Sequence, residues 1–331
     1  MLILDGSFLL HRSIMAHDGP PTTKQEKELP VYKSALSYNN QNTSGIFGML
    51  SALSKTLIMV PPQNKILCVW DGKHSDRRKS LYPEYNGNRK PKTDLEKQVK
   101  DLYMKNYIEQ QTILRDEVLP TIGICSVTHW QKEGDDVIYK LCELYHDKTD
   151  IIVISEDKDM FQLIHKFPTI KIYRPIAQEA VYKENFMEKA GVSPELFLIN
   201  KALLGDNSDN ISHIPQVGKD TVPLIVNKLD INNPVGSLLT MTQAAALEDK
   251  AKGTRSKLGR VYEDWGIIAR NLELVDMSRE VFDNQELINF KALVDGYRKV
   301  VDSTKFGQLC ARFGFQSILK DIEFWLLPFK N

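Results

Sequence analysis

The 331-residue sequence has little cysteine, no long apolar run and no excess of charge of either sign. It contains 43 basic and 43 acidic residues, so any attraction to nucleic acid or to an anionic membrane must come from local segregation of charge. No stretch approaches about 18 uninterrupted apolar residues, so we expect no membrane span. The N-terminal MLILDGSFLLHRS has no basic start and has an acid inside its apolar run, which makes it a poor signal peptide.

The four cysteines form no CxxC pair, which argues against a cysteine zinc site and against a disulfide framework. A reduced, cytoplasmic setting fits this usage. The cysteines are Cys68, Cys125, Cys142 and Cys310.

Five short apolar runs predict an α/β fold with a mostly parallel central sheet flanked by helices. Parallel strands that are covered on both faces have this continuous apolar composition. Between the runs, residues 45–58 and 135–146 have apolar residues at helical spacing. Alternating strands and helices indicate three layers. The runs are MLIL, KILCVW (65–70), TIGICSVT (121–128), DIIVIS (150–155) and IKIYRP (170–175).

The pattern changes near residue 181, where strand signals fade and helical patterns begin to dominate. We therefore expect two regions, an α/β core at 1–185 and a mostly helical region at 186–331. Within the core, residues 17–44 are polar and contain Pro-Pro and Asn-Asn, which indicates an inserted loop.

Three of the predicted strands end in aspartate. ILDG places Asp5 after the first run, VWDG places Asp71 after the second, and SEDKD places Asp157 and Asp159 after the fourth. In parallel sheets, ligands bind beyond the carboxyl ends of the strands. We therefore expect these side chains to converge on one edge.

Two further acidic motifs lie outside the strands. KEGDD contains Glu133, Asp135 and Asp136 and opens a predicted helix, whereas GDNSDN contains Asp206 and Asp209 and follows another helix. Each motif alone has an ordinary structural explanation, because acids complement the dipole at a helix start and Asp and Asn favour turns.

Together, the five motifs would crowd many carboxylates into one place. Two like charges about 4 Å apart repel by roughly 4 kcal/mol at an effective dielectric constant of about 20. Divalent cations relieve this repulsion, and hard oxygen ligands select Mg²⁺ or Mn²⁺. Because two such ions can clamp the attacking and leaving oxygens of a phosphodiester, the pattern favours metal-dependent hydrolysis. The seven histidines form no spacing pattern that would support a histidine-centred mechanism.

A basic segment follows the second strand end. Residues 73–100 contain nine Lys and Arg residues against four Asp and Glu residues, with Tyr82 and Tyr85 among them. Such runs are commonly solvated surfaces, but a position beside the acidic edge favours contact with phosphates and bases. Further on, HIPQVGKDTVPLIVNKL (213–229) has a glycine turn that leads into a helix, and amides at such a turn can hold a phosphate.

The ordered set of motifs resembles the 5′-nuclease family, which includes flap endonucleases, the 5′-nuclease domain of bacterial DNA polymerase I and phage 5′-exonucleases. The small phage enzymes of the T-even ribonuclease H type are especially similar. The similarity covers residues 1 to about 280, and the set is specific although no single motif is. The motifs are LDGSFLLHR, VWDG, DRRKSLYPEYNGNR, EGDD, SEDKD, LLGDNSDNI, VGKDTV and ARNLELVDM.

The resemblance implies a PIN-like 5′-nuclease fold with a helical arch at about 73–115 and a duplex-binding helix–three-turn–helix motif at about 206–229. It implies two metal ions and catalytic arginines at Arg78 and Arg89. The implied ligands of the first ion are Asp71, Glu133, Asp135 and Asp136, with Asp5 nearby. The implied ligands of the second ion are Asp157, Asp159, Asp206 and Asp209. Nucleic-acid contacts are expected from Arg12, Lys79, Tyr82, Tyr85, Lys90, Lys92, Val217, Gly218 and Lys219.

The implied activity is that of a structure-specific 5′-3′ exonuclease and flap endonuclease acting on DNA and RNA·DNA with 5′ ends or flaps. The implied cofactors are two Mg²⁺ ions, for which Mn²⁺ can substitute, and K⁺ at the helix–three-turn–helix hairpin. RNA primer removal and Okazaki fragment processing, by a monomer in a bacterial cytoplasm or a phage-infected cell, would fit. A single-strand binding protein is a candidate partner.

The sequence departs from the family at two positions. Asn86 stands where the family has a lysine that contacts the scissile phosphate, and Gln216 replaces the first glycine of the hairpin motif. Two other functions stay open. One is a PIN-type endoribonuclease, which would lack the arch and the hairpin; the other is a catalytically weak protein that binds branched DNA.

Overall fold

The structure is a computed structural model that describes residues 1–19, 36–72 and 75–330. The strands are β1 (Leu2–Asp5), β2 (Ser37–Tyr38), β3 (Gln41–Asn42), β4 (Ile66–Trp70), β5 (Cys125–Thr128), β6 (Ile152–Ile154), β7 (Lys171–Arg174) and β8 (Glu179–Val181). The first nine helices are α1 (Gly6–Asp18), α2 (Ser44–Met59), α3 (Asp76–Leu81), α4 (Asp94–Ile113), α5 (Leu119–Thr121), α6 (Gly134–Tyr145), α7 (Gln162–Lys166), α8 (Phe186–Ala190) and α9 (Phe197–Leu204). The others are α10 (Val222–Val226), α11 (Pro234–Lys252), α12 (Lys257–Glu263), α13 (Trp265–Val275), α14 (Asn284–Gly296), α15 (Ser303–Arg312), α16 (Gln316–Leu319) and α17 (Ile322–Lys330).

Six strands form one sheet in the order β5–β4–β1–β6–β7–β8. All neighbouring pairs are parallel except β7 and β8, which are antiparallel. The five apolar runs of the sequence correspond to β1, β4, β5, β6 and β7, which confirms the predicted mostly parallel sheet. The short strand β8 was not predicted from the sequence. Strands β1, β4 and β6 are adjacent, so their carboxyl ends meet at one edge.

The strands are buried on both faces, and their side chains alternate between two apolar layers. Ile3 and Leu67 point into one layer, whereas Leu4 and Cys68 point into the other. All four side chains are fully buried. Residues of α6, α7 and the helices from α8 to α14 complete the first layer, whereas residues of α1, α2, α4 and the C-terminal helices α15 to α17 complete the second. These two helical coverings confirm the three-layer α/β architecture.

Each apolar layer draws side chains from both sides of the predicted boundary between 1–185 and 186–331. Phe306 and Phe329, from the C-terminal helices, lie in the same layer as residues of α1 and α2. The division into two regions stays a prediction, but the C-terminal helices belong to the core in packing terms. Of the expected loop at 17–44, residues 20–35 lie outside the described part. The rest continues α1 to Asp18 and forms a small antiparallel β2–β3 hairpin.

Helix α4, within the segment predicted to form the arch, has one buried face. The buried positions recur every three or four residues, as expected for an amphipathic helix. They are Val99, Tyr103, Asn106, Gln110 and Ile113. Basic residues of the same helix, including Lys97 and Lys100, are exposed. The helix therefore presents its positive charge to solvent while its buried face contacts α1 and α2.

The side chain of Gln110 fixes this helix to the rest of the protein. Its Oε1 accepts hydrogen bonds from the backbone N–H groups of Gly45 (2.7 Å) and Ile46 (3.1 Å), and its Nε2 donates to Asn106 (3.1 Å). Gly45 and Ile46 lie in the first turn of α2, where backbone N–H groups have no partner within the helix. A residue about 65 positions away in sequence therefore caps α2.

We predict that Gln110→Ala lowers the free energy of unfolding by about 1 to 3 kcal/mol, because it leaves two buried N–H groups without an acceptor. Chemical denaturation would measure the change. Gln110→Glu, which keeps an acceptor, should lose less, and Glu109→Ala, on the exposed side of α4, should change little. Equal losses for Gln110→Ala and Glu109→Ala would contradict the capping role.

Candidate metal centre

Four of the predicted acids meet at the carboxyl edge of the sheet, and we call them the strand-edge acids: Asp5, Asp71, Asp135 and Asp157. Burial raises the pKa of Asp135 well above its ordinary value, and the charges of Asp157, Asp5 and Asp71 raise it further. This mutual effect requires the four carboxylates to be close together. The convergence expected from the strand ends is therefore present.

The Asp5 carboxylate accepts hydrogen bonds from two donors. As the N-cap of α1, it accepts from the backbone N–H of Phe8 (3.0 Å), and its other oxygen accepts from the Ser155 hydroxyl (2.8 Å). Burial raises the pKa of Asp5 to about 7, with a further contribution from Asp71, and the two hydrogen bonds oppose the rise. Without a cation, this carboxyl group thus titrates close to neutral pH.

Asp71 is held by the start of α6. Its Oδ1 accepts from the backbone N–H of Gly134 at 2.6 Å, and its own N–H donates to the Ser7 hydroxyl at 2.8 Å. A Cβ atom at Gly134 would lie 2.6 Å from the same Oδ1, so a side chain there would collide with the carboxylate. The glycine of the EGDD motif is therefore needed for the close approach of α6 to the sheet edge.

Three more acids form a second group, which we call the loop acids: Asp159, Asp206 and Asp209. They offer carboxylate oxygens that all lie within 4.8 Å of one another. Burial raises the pKa of Asp209 to about 6, and Asp206 raises it further, although Arg89 lowers it. Asp157 joins the two groups, because its side chain accepts from the backbone N–H of Asp159 at 2.8 Å.

Lys201, on α9, was not identified from the sequence as a site residue, yet it contacts two of the loop acids. Its Nζ donates to Asp159 through a short contact and to Asp206 Oδ2 at 2.8 Å. The signal was present in the sequence, because a single lysine interrupts the apolar stretch LFLINKALL. Charged residues are rarely buried unless they are paired.

Arg78 and Asp136, two of the predicted site residues, are bonded to each other. Arg78 is 4% exposed, and its guanidinium forms two hydrogen bonds of 2.7 Å with the two carboxylate oxygens of Asp136. It also bonds Glu133 Oε2 at 2.6 Å and the Leu274 carbonyl at 3.0 Å. This geometry uses both oxygens of Asp136 for Arg78 rather than for a metal ion, and it buries the guanidinium away from any phosphate.

Tyr85 and Val217 likewise face the protein interior. Tyr85 is 4% exposed and its hydroxyl donates to Glu133 at 3.1 Å, so its ring is not available for base stacking. Val217 is fully buried, and its N–H donates to the Ile214 carbonyl. At the preceding position, Gln216 adopts a φ of 67°, which explains why a glycine is favoured there.

The other predicted nucleic-acid contacts lie nearer the surface. Lys90, Lys92 and Lys219 are exposed, whereas Arg12, Lys79, Tyr82 and Gly218 are half-buried. The Arg270 guanidinium lies 4.3 Å from the centre of the Tyr82 ring, and Lys79 donates to the Tyr85 carbonyl.

Residues 84–89, at the start of the segment predicted to form the arch, are hydrogen-bonded to residues 207–210, the segment that contains Asp209. Asn86, with a φ of 56° and 5% exposure, donates its N–H to the Asp209 carbonyl at 2.8 Å. The Arg89 guanidinium Nη2 contacts Asp209 Oδ1 at 2.7 Å, and the Arg89 side chain is 53% exposed. Further bonds join Asn88 to Asn207 and Asn210 to Glu84.

Residues 1–191 match the family model described as the 5′-3′ exonuclease N-terminal resolvase-like domain. The chain therefore belongs to the 5′-3′ exonuclease family, and it is a nuclease. This assignment confirms the family indicated by the ordered motifs.

Two curated relatives illustrate the similarity. The 5′-3′ exonuclease of Buchnera aphidicola subsp. Acyrthosiphon pisum is 32% identical over 60% of this chain and 68% of its own length. The 5′-3′ exonuclease of Bacillus subtilis is 28% identical over 70% of each chain. DNA polymerase I of Streptococcus pneumoniae matches at 31% identity, but over 23% of that longer protein.

Solved structures show the same fold. The T5 5′-exonuclease with bound zinc has a TM-score of 0.61 at 19% identity, covering 84% of this chain and 89% of that one. Flap endonuclease-1 from Methanococcus jannaschii has a TM-score of 0.52 at 14% identity, covering 100% of this chain and 92% of that one. Within the described ranges, every helix is too short or too polar to cross a membrane.

The donor set fits divalent cations. Hard carboxylate oxygens are the ligands that Mg²⁺ and Mn²⁺ prefer, and the loop acids offer three of them within 4.8 Å. Burial and the neighbouring carboxylates raise the pKa values of Asp5 and Asp209, so a bound cation would stabilise their charged forms. A metal centre is the chemistry that this arrangement supports.

We predict that the stability of the metal-free protein falls as the pH rises from about 5 to about 8. The carboxyl groups of Asp5 and Asp209 have folded pKa values of about 7 and about 6, above their ordinary 3.8, so the folded chain binds more protons than the unfolded chain in this range. Thermal unfolding in a chelator at several pH values would measure the trend.

Addition of Mg²⁺ should flatten this pH dependence, since the cation replaces the protons. Asp5→Asn should reduce the slope mainly near pH 7, and the asparagine can still cap α1. A metal-free protein whose stability increases from pH 5 to pH 8 would contradict the pKa assignments.

Proposed function

We propose that the chain is a Mg²⁺-dependent, structure-specific 5′-nuclease that hydrolyses phosphodiesters of DNA and RNA·DNA at 5′ ends and flaps. The observation that carries this proposal is the convergence of the strand-edge acids and the loop acids at one edge of a sheet in a 5′-3′ exonuclease family member. Mn²⁺ would substitute for Mg²⁺.

The proposed division of labour follows the two acid groups. Asp5, Asp71 and Asp135 would hold one divalent ion, and Asp159, Asp206 and Asp209 would hold the other, with Asp157 between them. When bound, such ions make water a stronger nucleophile near neutral pH and offset charge on the phosphate. The protein keeps the acids in place through Gly134, Ser155 and the first turn of α1.

Arg78 would act as a positioning residue. It neutralises Asp136 and Glu133 at the start of α6, the helix that supplies Asp135 and the N–H group bonded to Asp71. Arg89 is the better candidate for contact with a substrate phosphate, because its guanidinium is half exposed and lies at the loop acids. Arginine binds phosphate oxygens with several donors in a fixed planar arrangement.

The substrate would enter beside the exposed basic residues of the arch segment, including Lys90 and Lys92, with Arg12 as a further phosphate contact. The turn at Gly218 and Lys219 would bind the duplex backbone, with K⁺ at the hairpin. Because phosphate contacts carry no direct sequence information, we expect little sequence preference and strong weakening of binding by salt.

This activity would suit RNA primer removal and Okazaki fragment processing in bacterial or phage replication. We propose that the chain acts as a monomer in the cytoplasm, with a single-strand binding protein as a partner at the fork. The matches to 5′-3′ exonucleases and to the start of DNA polymerase I support this setting.

The proposal is tested by mapping products from a 5′-labelled flap, a blunt duplex with the same sequence and a single-stranded RNA, each with Mg²⁺ and with a chelator. We expect Mg²⁺-dependent cleavage near the flap junction at a higher rate than on single-stranded RNA. Faster cleavage of the RNA would favour a PIN-type endoribonuclease, and binding of the flap without cleavage would favour a branched-DNA binding protein.

Asp71→Asn should lower the cleavage rate by about 100-fold or more while leaving flap binding in place, since metal ions contribute several kcal/mol to such reactions. The asparagine keeps an oxygen that can accept the Gly134 N–H, so the fold should persist. Single-turnover cleavage and gel-shift assays measure the two effects. Asp147→Asn, an exposed acid after α6, is the matched control and should behave as the unaltered protein. Full activity of Asp71→Asn would refute the assignment.

A further inference from the structure

The Lys201 side chain places a positive charge of the protein next to the loop acids. It lies in α9, whose last residue is followed by the segment that contains Asp206. Its side chain is only 12% exposed, and its Nζ bonds one oxygen each of Asp159 and Asp206. Both partners are carboxylates, so they favour the charged form of the lysine, and its side chain is an ammonium ion.

The ammonium group of Lys201 lies at the place where the loop acids could hold a metal ion. Asp159 and Asp206 are two of the three residues whose oxygens lie within 4.8 Å of one another and could hold a metal ion. The third, Asp209, contacts Arg89 at 2.7 Å. Each loop acid is thus already paired with a positive side chain.

Two of the strand-edge acids, Asp5 and Asp71, have different partners. The hydrogen bonds to Asp5 come from the Phe8 N–H and the Ser155 hydroxyl, and the one to Asp71 comes from the Gly134 N–H. These donors are neutral, so they orient the carboxylates without cancelling their charge. A divalent ion bound to Asp5 and Asp71 need not displace a positive side chain. A divalent ion bound to the loop acids must either displace Lys201 or share the carboxylate oxygens with it.

The two cations at the loop acids also differ in how easily they can leave. The Arg89 side chain is 53% exposed and can turn into solvent, but Lys201 has little access to solvent at 12% exposure. Two positive charges at contact distance repel strongly even at an effective dielectric constant of about 20. Lys201 is therefore the residue that opposes a second cation at this place.

We propose that Lys201 is an intramolecular counter-ion that holds the loop acids together without metal and lowers their affinity for a divalent ion, so that the two metal sites differ in affinity. This inference rests on the proposed function for the existence of the sites, and it adds which site is the weaker one and why. Lys201 is a positioning residue in this role, since its contacts are with the acids.

The test is Mn²⁺ binding to the whole chain without nucleic acid, measured by electron paramagnetic resonance of free Mn²⁺ and by calorimetry. The unaltered protein should bind one ion tightly and one weakly. Lys201→Met removes the charge while keeping an unbranched side chain, and it should tighten the weak class about tenfold or more while leaving the tight class unchanged. Lys189→Met, which removes a surface lysine paired with Glu179 and Glu188, is the control and should change neither class.

If the weak Mn²⁺ site of Lys201→Met has an unchanged or lower affinity, the inference is overturned while the metal centre stays intact. A protein that binds no Mn²⁺ in any form would instead overturn the proposed metal centre, and the inference with it. The two failures are therefore distinguishable by the unaltered protein alone.

Lys201→Met could fail to fold without metal, because the loop acids would lose their counter-ion. In that case, Mn²⁺ should restore the native circular dichroism spectrum and raise the Tm more than it does for the unaltered protein. Lys201→Gln, which keeps a hydrogen-bond donor, provides a second variant for the same titration. Variants that stay unfolded at saturating Mn²⁺ would show that Lys201 is needed for packing, and that result would overturn the inference.

Discussion

The constraint on which this structure depends is the mutual repulsion of seven carboxylates at one edge of a parallel sheet. Adjacent parallel strands bring their carboxyl ends together, so the aspartates that follow β1, β4 and β6 cannot avoid one another. Burial raises the pKa values of Asp5 and Asp209, and the neighbouring carboxylates Asp71 and Asp206 raise them further. Divalent cations offset such repulsion, and carboxylate oxygens are ligands that suit them.

The carboxylates have different kinds of hydrogen-bond and ion-pair partners in three parts of the site. Neutral N–H and O–H donors orient Asp5 and Asp71, so their negative charge is retained. A buried arginine, Arg78, cancels the charge of Asp136 and shares Glu133, which stabilises the start of α6. A buried lysine, Lys201, contacts the loop acids. Breaking a buried ion pair commonly costs about 3 to 5 kcal/mol, so these pairs fix the acids' positions as well as their charge.

The segment that carries the basic residues is part of the same network. Its base, at residues 84–89, is hydrogen-bonded to the 207–210 segment, and its long helix α4 is fixed to the start of α2 by Gln110. A displacement of this segment would therefore change the position of Asp209 and, through the hydrogen bond from the Tyr85 hydroxyl, the position of Glu133. These bonds connect the segment that carries the exposed basic residues to the acid site.

Five of the six strands of the sheet and the acids that follow them could be predicted from the sequence, because apolar runs and the aspartates after them are local features of the chain. The sequence also placed the arch segment and the glycine turn through short motifs. The orientation of other side chains depends on packing: Arg78 turns toward Asp136, 58 residues away, and Tyr85 and Val217 point inward. The same holds for Lys201 at Asp159. Pairing of buried charges depends on how distant helices pack over the sheet edge, and no local pattern of residues encodes that geometry.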